Sequence, residues 1–409
     1  MEQRRYFEQL DAIDPLRDIR AQFDLPDDRV FFNGNSLGPQ PRETAQRLDE
    51  AMRRWRDDMN AGWWDHQWLR LPTLTGDRIG GILGAAPGQV VVGESTSVNL
   101  FKLLCGAMEL QSASKRSVIL TDLGNFPSDL YIADGVTRYV HRQATVRRVP
   151  VDEIIDEIDS DVAVVTLSHV DYRTAQLLPM RRINERAHEA GALVLWDLSH
   201  SAGVVPLELD AAGTDLAVGC GYKYLNGGPG APGYMYVAHR LLPRFEQPVT
   251  GWLGHTRPFD FTAGYQPDPG IARLTTGCPP LLSLLALDEG VTLTARADPA
   301  AVRAKSVALS EEFIALAGAR LARYGVEVTG PVDSAQRGSH VSLHSESAER
   351  LAKGLAARGF HLELRPPDLL RFGLAPLYIR HVEVFDCVAA MEQLLAEETA
   401  DTGRHAPQK

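Results

Sequence analysis

The chain has 409 residues, a length that suggests two or three domains and a sizeable buried core. Hydrophobic residues make up 44% and charged residues 23%, the balance of an ordinary soluble enzyme, which excludes a disordered chain. Lys and Arg number 42 against 53 Asp and Glu, so the net charge of −11 argues against general nucleic-acid binding.

The four cysteines, Cys105, Cys220, Cys278 and Cys387, are widely spaced and form no CxxC pair. Neither a zinc site nor a disulfide framework is expected. The first residues, MEQRRYFEQLDAID, lack an apolar signal-peptide core, and no stretch approaches the ~18 apolar residues of a membrane span. The expectation is a reduced, cytoplasmic, soluble protein with no membrane or nucleic-acid partner.

In chain order, residues 6–23 carry apolar side chains at helical spacing interrupted by Pro15, which predicts one or two short helices packing on another part of the protein. A short strand is expected at Val30–Phe32 and an amphipathic helix from Arg42 to Arg56. From about 75 to 285, short apolar runs alternate with helical stretches. The expected strands are Val90–Val92, Ser117–Thr121, Thr145–Val149, Ala163–Leu167, Leu193–Trp196, Leu216–Gly219 and Gly233–Val237. That alternation predicts an α/β fold with a mostly parallel seven-stranded sheet covered on both faces. Residues 299–323 read as a long helix. Short strands near 326–328, 340–343, 361–364 and 370–373, with helices at 347–357 and 381–397, predict a smaller C-terminal α+β domain. The division expected is an N-terminal segment, 1–55, packing with the small domain, then a large domain, 56–290, and the small domain, 291–409. The last ten residues are expected to fray.

Three segments could carry chemistry. An apolar strand ends at Gly219 and Gly221, and Lys223 follows between Tyr222 and Tyr224. Open α/β sheets bind ligands at such strand ends. By itself Lys223 would be an ordinary solvated lysine. About 25 residues upstream, the buried run Leu193–Trp196 ends in Asp197. A carboxylate there needs a partner, either a backbone cap or a protonated ring nitrogen. Earlier still, Val90–Val92 leads through Gly93 and Glu94 to Ser95, Thr96 and Ser97 at a helix start. That geometry suits a phosphate, although ordinary N-capping explains it equally well. In this chain order on one parallel sheet, the three resemble the fold-type I, aminotransferase-like enzymes that use pyridoxal phosphate (PLP).

The resemblance narrows to the kynureninase family. It rests on Phe31-Phe-Asn-Gly-Asn-Ser-Leu-Gly38, Gly62-Trp-Trp64, Asn125-Phe-Pro-Ser-Asp129, Ser168-His-Val-Asp-Tyr-Arg-Thr174, Asp197-Leu-Ser-His200, Gly221-Tyr-Lys223 and Gly251-Trp-Leu-Gly-His255. These segments span nearly the whole chain. The resemblance implies PLP-dependent hydrolysis of the small molecule L-kynurenine to anthranilate and L-alanine, within tryptophan degradation. It also implies a homodimer with shared active sites.

By the same resemblance, Lys223 bonds covalently to the cofactor, and Ser95, Thr96 and Tyr222 hold its phosphate, with Trp252 reaching in from the neighbouring subunit. Phe126 stacks on the ring and Asp197 pairs with the ring nitrogen. Ser128, Asp129, Ser168 and His200 complete the cofactor site. Tyr222 is the candidate for proton transfer at the substrate's Cβ. Arg371 grips the substrate carboxylate, where a planar guanidinium can make two parallel bonds. The alternative for Arg371 is a surface pair with Asp368 or Glu363. Ser36 lies near the substrate, and Trp64 walls the pocket for its aromatic ring, as in bacterial members that favour unsubstituted kynurenine. Cys278, also at the cofactor site, stands where the family carries Asn or Thr. A thiol is a weak hydrogen-bond partner, which bears on the choice between kynurenine and 3-hydroxykynurenine.

Four of the six tryptophans fall within 55–68, and Trp55 and Trp68 read as aromatic packing between helices or subunits. Gly34-Asn-Ser36-Leu-Gly38 matches the G-x-S-x-G pattern, but Pro39 and Pro41 follow where a nucleophile elbow needs a helix. The competing PLP reading is a cysteine desulfurase or selenocysteine lyase, which needs a nucleophilic cysteine on a mobile small-domain loop. Cys387 sits in a helical apolar pattern instead.

Overall fold

The computed structural model describes residues 2–404. The N-terminal segment forms α1 (Glu2–Ile13), α2 (Arg17–Arg20), β1 (Val30–Phe31) and α3 (Arg42–Asp58). A single turn, α4 (Gly62–Asp65), leads to α5 (Leu71–Leu83), β2 (Val90–Val92), α6 (Thr96–Leu110), β3 (Val118–Asp122), α7 (Pro127–Gly135), β4 (Thr145–Val149) and β5 (Val162–Ser168). Then come α8 (Met180–Ala190), β6 (Leu193–Asp197), β7 (Leu216–Cys220), β8 (Gly233–Val237), α9 (Leu281–Ala295) and α10 (Pro299–Arg320). The chain continues through β9 (Glu327–Thr329), β10 (His340–His344), α11 (Ala348–Ala357), β11 (Phe360–His361), β12 (Glu363–Arg365), β13 (Leu369–Gly373) and α12 (His381–Arg404).

The seven expected strands form one sheet in the order β2-β8-β7-β6-β5-β3-β4. Only β8 runs antiparallel to its neighbours. Alternate residues feed opposite faces, as a pleated strand requires. Val90, Leu120, Val165, Val194 and Trp196 belong to one apolar cluster, and Val91, Ile119, Val164, Leu195 and Val218 to the other. With both faces buried, the strands read as continuous apolar runs.

A four-stranded antiparallel sheet, β12-β13-β10-β9, forms the smaller unit. Its core, which includes Phe313, Phe372 and Leu370, takes in Phe7 of α1 and Phe32. Helix α1 lies against α12, whereas α3 lies against α9. The expected boundary at 290 falls inside α9.

One strand expectation needs correction. The stretch 361–364 is not a single strand. Phe360–His361 pairs in parallel with β1, while Glu363–Arg365 turns away to pair with β13. Periodicity could not show the break, because each piece is only two or three residues long. Helix α12 runs on through Arg404, into the stretch expected to fray, and the remainder of that stretch, 405–409, lies outside the described residues. Trp68 is buried against Trp63, whereas Trp55 is exposed on α3.

A buried ion pair ties the N-terminal segment to α10: Lys305 Nζ lies 2.6 Å from Asp14 Oδ2. Removing one partner of such a pair strands a charge and costs about 3–5 kcal/mol. Lys305→Met should therefore lower stability by about 3 kcal/mol in urea unfolding, and adding Asp14→Leu should recover most of that loss.

Candidate active site

The parallel register brings the carboxyl ends of the central strands to one edge. Ser168, the last residue of β5, pairs with Asp197, the last residue of β6, which in turn pairs with Val218 in β7. Lys223 follows three residues after β7 ends. Its Nζ lies 3.3 Å from His200 Nε2. Burial first, then the charges of Lys223 and its neighbours, push His200 well below the usual histidine range. The ring is therefore neutral, and its Nε2 accepts from the lysine amine.

Asp197 is buried and accepts from the Ser199 amide at 2.7 Å. Asp129, at the start of α7, is buried too. Desolvation, then repulsion from Asp197, raise its carboxyl well above the usual range, with Lys223 pulling the other way. Two buried carboxylates facing one cation cannot both ionise cheaply. Asp129 is the one whose carboxyl is raised.

The hydroxyl-rich segment does sit at a helix N-terminus. Ser95 caps α6, accepting from the Val98 amide. A cavity of about 550 Å³ opens there, lined by Ser95, Thr96, Ser97, Tyr222, Gly233 and Cys278. Unpaired helix-start amides and hydroxyls make this a seat for a phosphate. The nearby charge of Cys220, with burial, raises the Tyr222 phenol, so it stays protonated and can donate. Ser128 Oγ lies 3.0 Å from Ser97 Oγ, which joins the α7 start to the α6 start. Phe126 precedes α7, and its ring meets Tyr172 edge-on at 5.2 Å.

A phosphate seat, a lysine and a carboxylate at the next strand end together fit a phosphorylated pyridine aldehyde. The phosphate would bind at α6 and the ring nitrogen would face Asp197.

Arg371 is buried at 1% exposure in β13. Its Nη2 donates to Ser36 Oγ at 2.8 Å and to the Glu363 carboxylate, and its Nη1 donates to the Tyr172 carbonyl. Glu363 stands directly opposite Arg371 across the β12–β13 pair. Burial would raise the Glu363 carboxyl, but Arg371, Ser36 and Arg365 outweigh it and hold the carboxyl below its ordinary range. The Glu363 contact is thus present, but in a buried site and not on the surface.

Of the expected site residues, Ser95, Thr96, Tyr222 and Cys278 line this cavity and the others do not, Trp64 and Trp252 among them. Trp64 is exposed, with its ring 5.6 Å from Phe259. Trp252 meets the same Phe259 at 5.6 Å. The glycines of the G-x-S-x-G match serve packing. A Cβ at Gly38 would stand 2.4 Å from the Lys223 carbonyl oxygen, and one at Gly34 would stand 2.2 Å from the Tyr378 hydroxyl.

Sequence reasoning gave no role to Asn125, His340 or Lys102. Asn125 Oδ1 accepts from Ser168 Oγ and from the Phe126 amide, both at 2.8 Å, which orients the segment carrying Phe126. His340 is fully buried, with its ring 5.6 Å from that of His200. Lys102, buried in α6, donates to the Leu274 carbonyl at 3.0 Å and to Thr276 Oγ1 at 2.7 Å, which fixes the segment leading to Cys278. A single histidine after Gly338-Ser339 and a single lysine in an apolar helix carry no distinguishing pattern.

The kynureninase C-terminal domain family matches residues 302–391. A protein named kynureninase from Deinococcus radiodurans is 43% identical over 394 residues, covering 95% of each chain. One of the same name from Burkholderia pseudomallei is 41% identical, covering 95% of this chain and 94% of its own. The chain belongs to the kynureninase family. Among solved structures, the fold is similar to a cysteine desulfurase from Thermococcus onnurineus, with a TM-score of 0.77 at 16% identity, covering 93% of this chain and 98% of that one. It is also similar to a C-DES variant with glycine covalently linked to its PLP cofactor, with a TM-score of 0.79 at 17% identity, covering 91% and 98%. At such identity these two show the kynureninase fold to be that of PLP enzymes, and no more.

The raised carboxyl of Asp129 gives an asymmetric expectation. Asn is nearly isosteric with a protonated Asp, so Asp129→Asn should weaken cofactor retention far less than Asp197→Asn. About a tenfold difference in PLP dissociation is expected, read by absorbance during dialysis.

Proposed function

We propose that this protein is a kynureninase that uses PLP to hydrolyse L-kynurenine to anthranilate and L-alanine. The single observation that carries the reading is the convergence of a small-domain cation, Arg371, on the lysine of a PLP-type sheet edge. Arg371 donates to Ser36 Oγ at 2.8 Å, and two residues on, the Gly38 amide donates to the carbonyl of Tyr222, the residue before Lys223, at 2.7 Å. A free amino acid substrate needs both: one group to handle its amine and one to hold its carboxylate. Full-length similarity to kynureninases at 41–43% identity supports it further.

The bound cofactor supplies an electron sink conjugated to the substrate's amine. Lys223 would hold the cofactor, and its free amine would be the base for the substrate's α-proton. His200, neutral and hydrogen-bonded to Lys223, keeps that amine oriented. Asp197 stabilises a protonated ring nitrogen. Water would add to the substrate's γ-carbonyl carbon, which leaves as the carboxyl of anthranilate when the Cβ–Cγ bond breaks, and Tyr222, kept as a phenol, would donate the proton that Cβ then takes. Arg371 and Ser36 bind the α-carboxylate. Ser95, Thr96 and Ser128 form the phosphate seat, with Ser168 and Phe126 against the ring.

We further propose a cytoplasmic homodimer in which Trp252 and Trp64 serve the partner's site. The exposed run Trp64–Phe259–Phe261 supports this, since exposed aromatic patches mark interaction surfaces. Among the described residues, no helix is long and apolar enough to cross a membrane. A desulfurase reading lacks its nucleophile: Cys387 is fully buried in α12, and burial raises its thiol.

Incubation with L-kynurenine should produce anthranilate fluorescence, and borohydride trapping followed by peptide mapping should place the cofactor on Lys223. A label elsewhere, or no turnover after PLP reconstitution, would refute the reading. Arg371→Ala should lower kcat/KM by roughly 30- to 1000-fold with PLP occupancy nearly unchanged, and Arg371→Lys should recover only part of the loss.

A further inference from the structure

The place proposed for the substrate carboxylate already holds a carboxylate. Ser36 Oγ donates to Glu363 Oε2, and Arg371 Nη2 donates to the same oxygen. These are the two donors assigned above to the substrate. Arg371 Nε, buried on the adjoining edge of the guanidinium, has no hydrogen-bond partner among the described residues. The cation is therefore only partly satisfied by its own chain.

We propose that Glu363 is an internal stand-in for the substrate's α-carboxylate, displaced when an amino acid binds and returning when the amino acid product leaves. The proposal rests on the reading of Arg371 as the carboxylate anchor.

Three features support exchange over a fixed structural pair. First, Glu363 has somewhere to go. Its other oxygen, Oε1, lies 2.7 Å from Arg365 Nη2, and Arg365 is 40% exposed while Arg371 is 1% exposed. Leaving Arg371 moves the carboxylate toward a second cation and water, so displacement strands no charge. Second, β12 is a three-residue strand at the edge of its sheet, paired within the sheet to β13 on one side. Such an edge can yield without dismantling the core. Third, the free Nε together with Nη2 offers a substrate carboxylate a two-bond seat, where Glu363 uses only Nη2. A ligand carboxylate therefore gains a bond that Glu363 does not make.

The consequence is a toll on every carboxylate ligand. Affinity is reduced by the fraction of protein in which Glu363 occupies the seat. L-alanine should feel it by the same factor as L-kynurenine, and Glu363 thereby assists its release.

The test uses the PLP-loaded enzyme and two probes besides L-kynurenine: L-alanine as inhibitor, and kynurenamine, which lacks the carboxylate. Glu363→Gln keeps the shape but removes the charge. It should lower KM for L-kynurenine and Ki for L-alanine by about 3- to 30-fold, with kcat equal or lower, and should give no such gain with kynurenamine. If the Gln variant does not retain cofactor, Glu363→Asp, whose shorter reach weakens the contact, should shift both constants in the same direction by a smaller factor. A rise in KM and in the alanine Ki would overturn the proposal and make Glu363 a residue that orients Arg371. Arg371→Ala separates the two claims. If it still binds L-alanine as wild type does, the carboxylate reading itself fails. If it loses alanine while Glu363→Gln leaves the alanine Ki unmoved, only the stand-in fails.

Discussion

A guanidinium buried at 1% exposure is the constraint around which this molecule closes. Such a charge is costly unless hydrogen-bonded on several sides. Arg371 finds its partners in three separate parts of the chain: Ser36 from the N-terminal segment, Glu363 from the small sheet and the Tyr172 carbonyl from the large unit. Those contacts span sequence separations of 335, 8 and 199 residues. Satisfying one cation thus brings the N-terminal segment and both sheets to a single point beside Lys223.

Positive charge is concentrated there, and burial keeps it from accumulating further. Lys223 and Arg371 flank His200 and His340, and both rings are pushed well below the usual histidine range, by burial first. Two more cations in this space would repel the lysine and the arginine. Neutral rings fill it instead, and His200 accepts from the lysine amine. Asp129 lies near Asp197 and Lys223, and burial first, then repulsion from Asp197, raises its carboxyl well above the usual range. The site is a set of ionisable groups whose environments separate their charge states, which is how one pocket handles both acid and base steps.

Much of this was legible in the sequence. Apolar runs of three to five residues alternating with helical stretches define a sheet buried on both faces. Asp197 and Lys223 announce themselves because each ends or follows such a run, where side chains emerge at a ligand-binding edge. Ser95 and Thr96 are legible as a helix start. The motifs from Phe31 to His255 pointed to the family, and the full-length similarity bears that out.

The rest depended on distance in three dimensions. The division of 361–364 into two strands follows from which neighbours each piece meets, β1 on one side and β13 on the other, and no local pattern encodes that. The pairing of Glu363 with Arg371 was one of two equal choices beside Asp368 until the β12–β13 register set them opposite each other. His340 and Lys102 resemble any lone polar residue until the fold buries them against His200 and the 274–276 segment. By itself the sequence determined the periodicities, the strand-end lysine and aspartate, and the family, because these are local and repeat along the chain. Only the tertiary structure decided which buried charges meet and that the Asp129 carboxyl is raised, because desolvation and Coulomb interaction act through space between groups far apart in sequence.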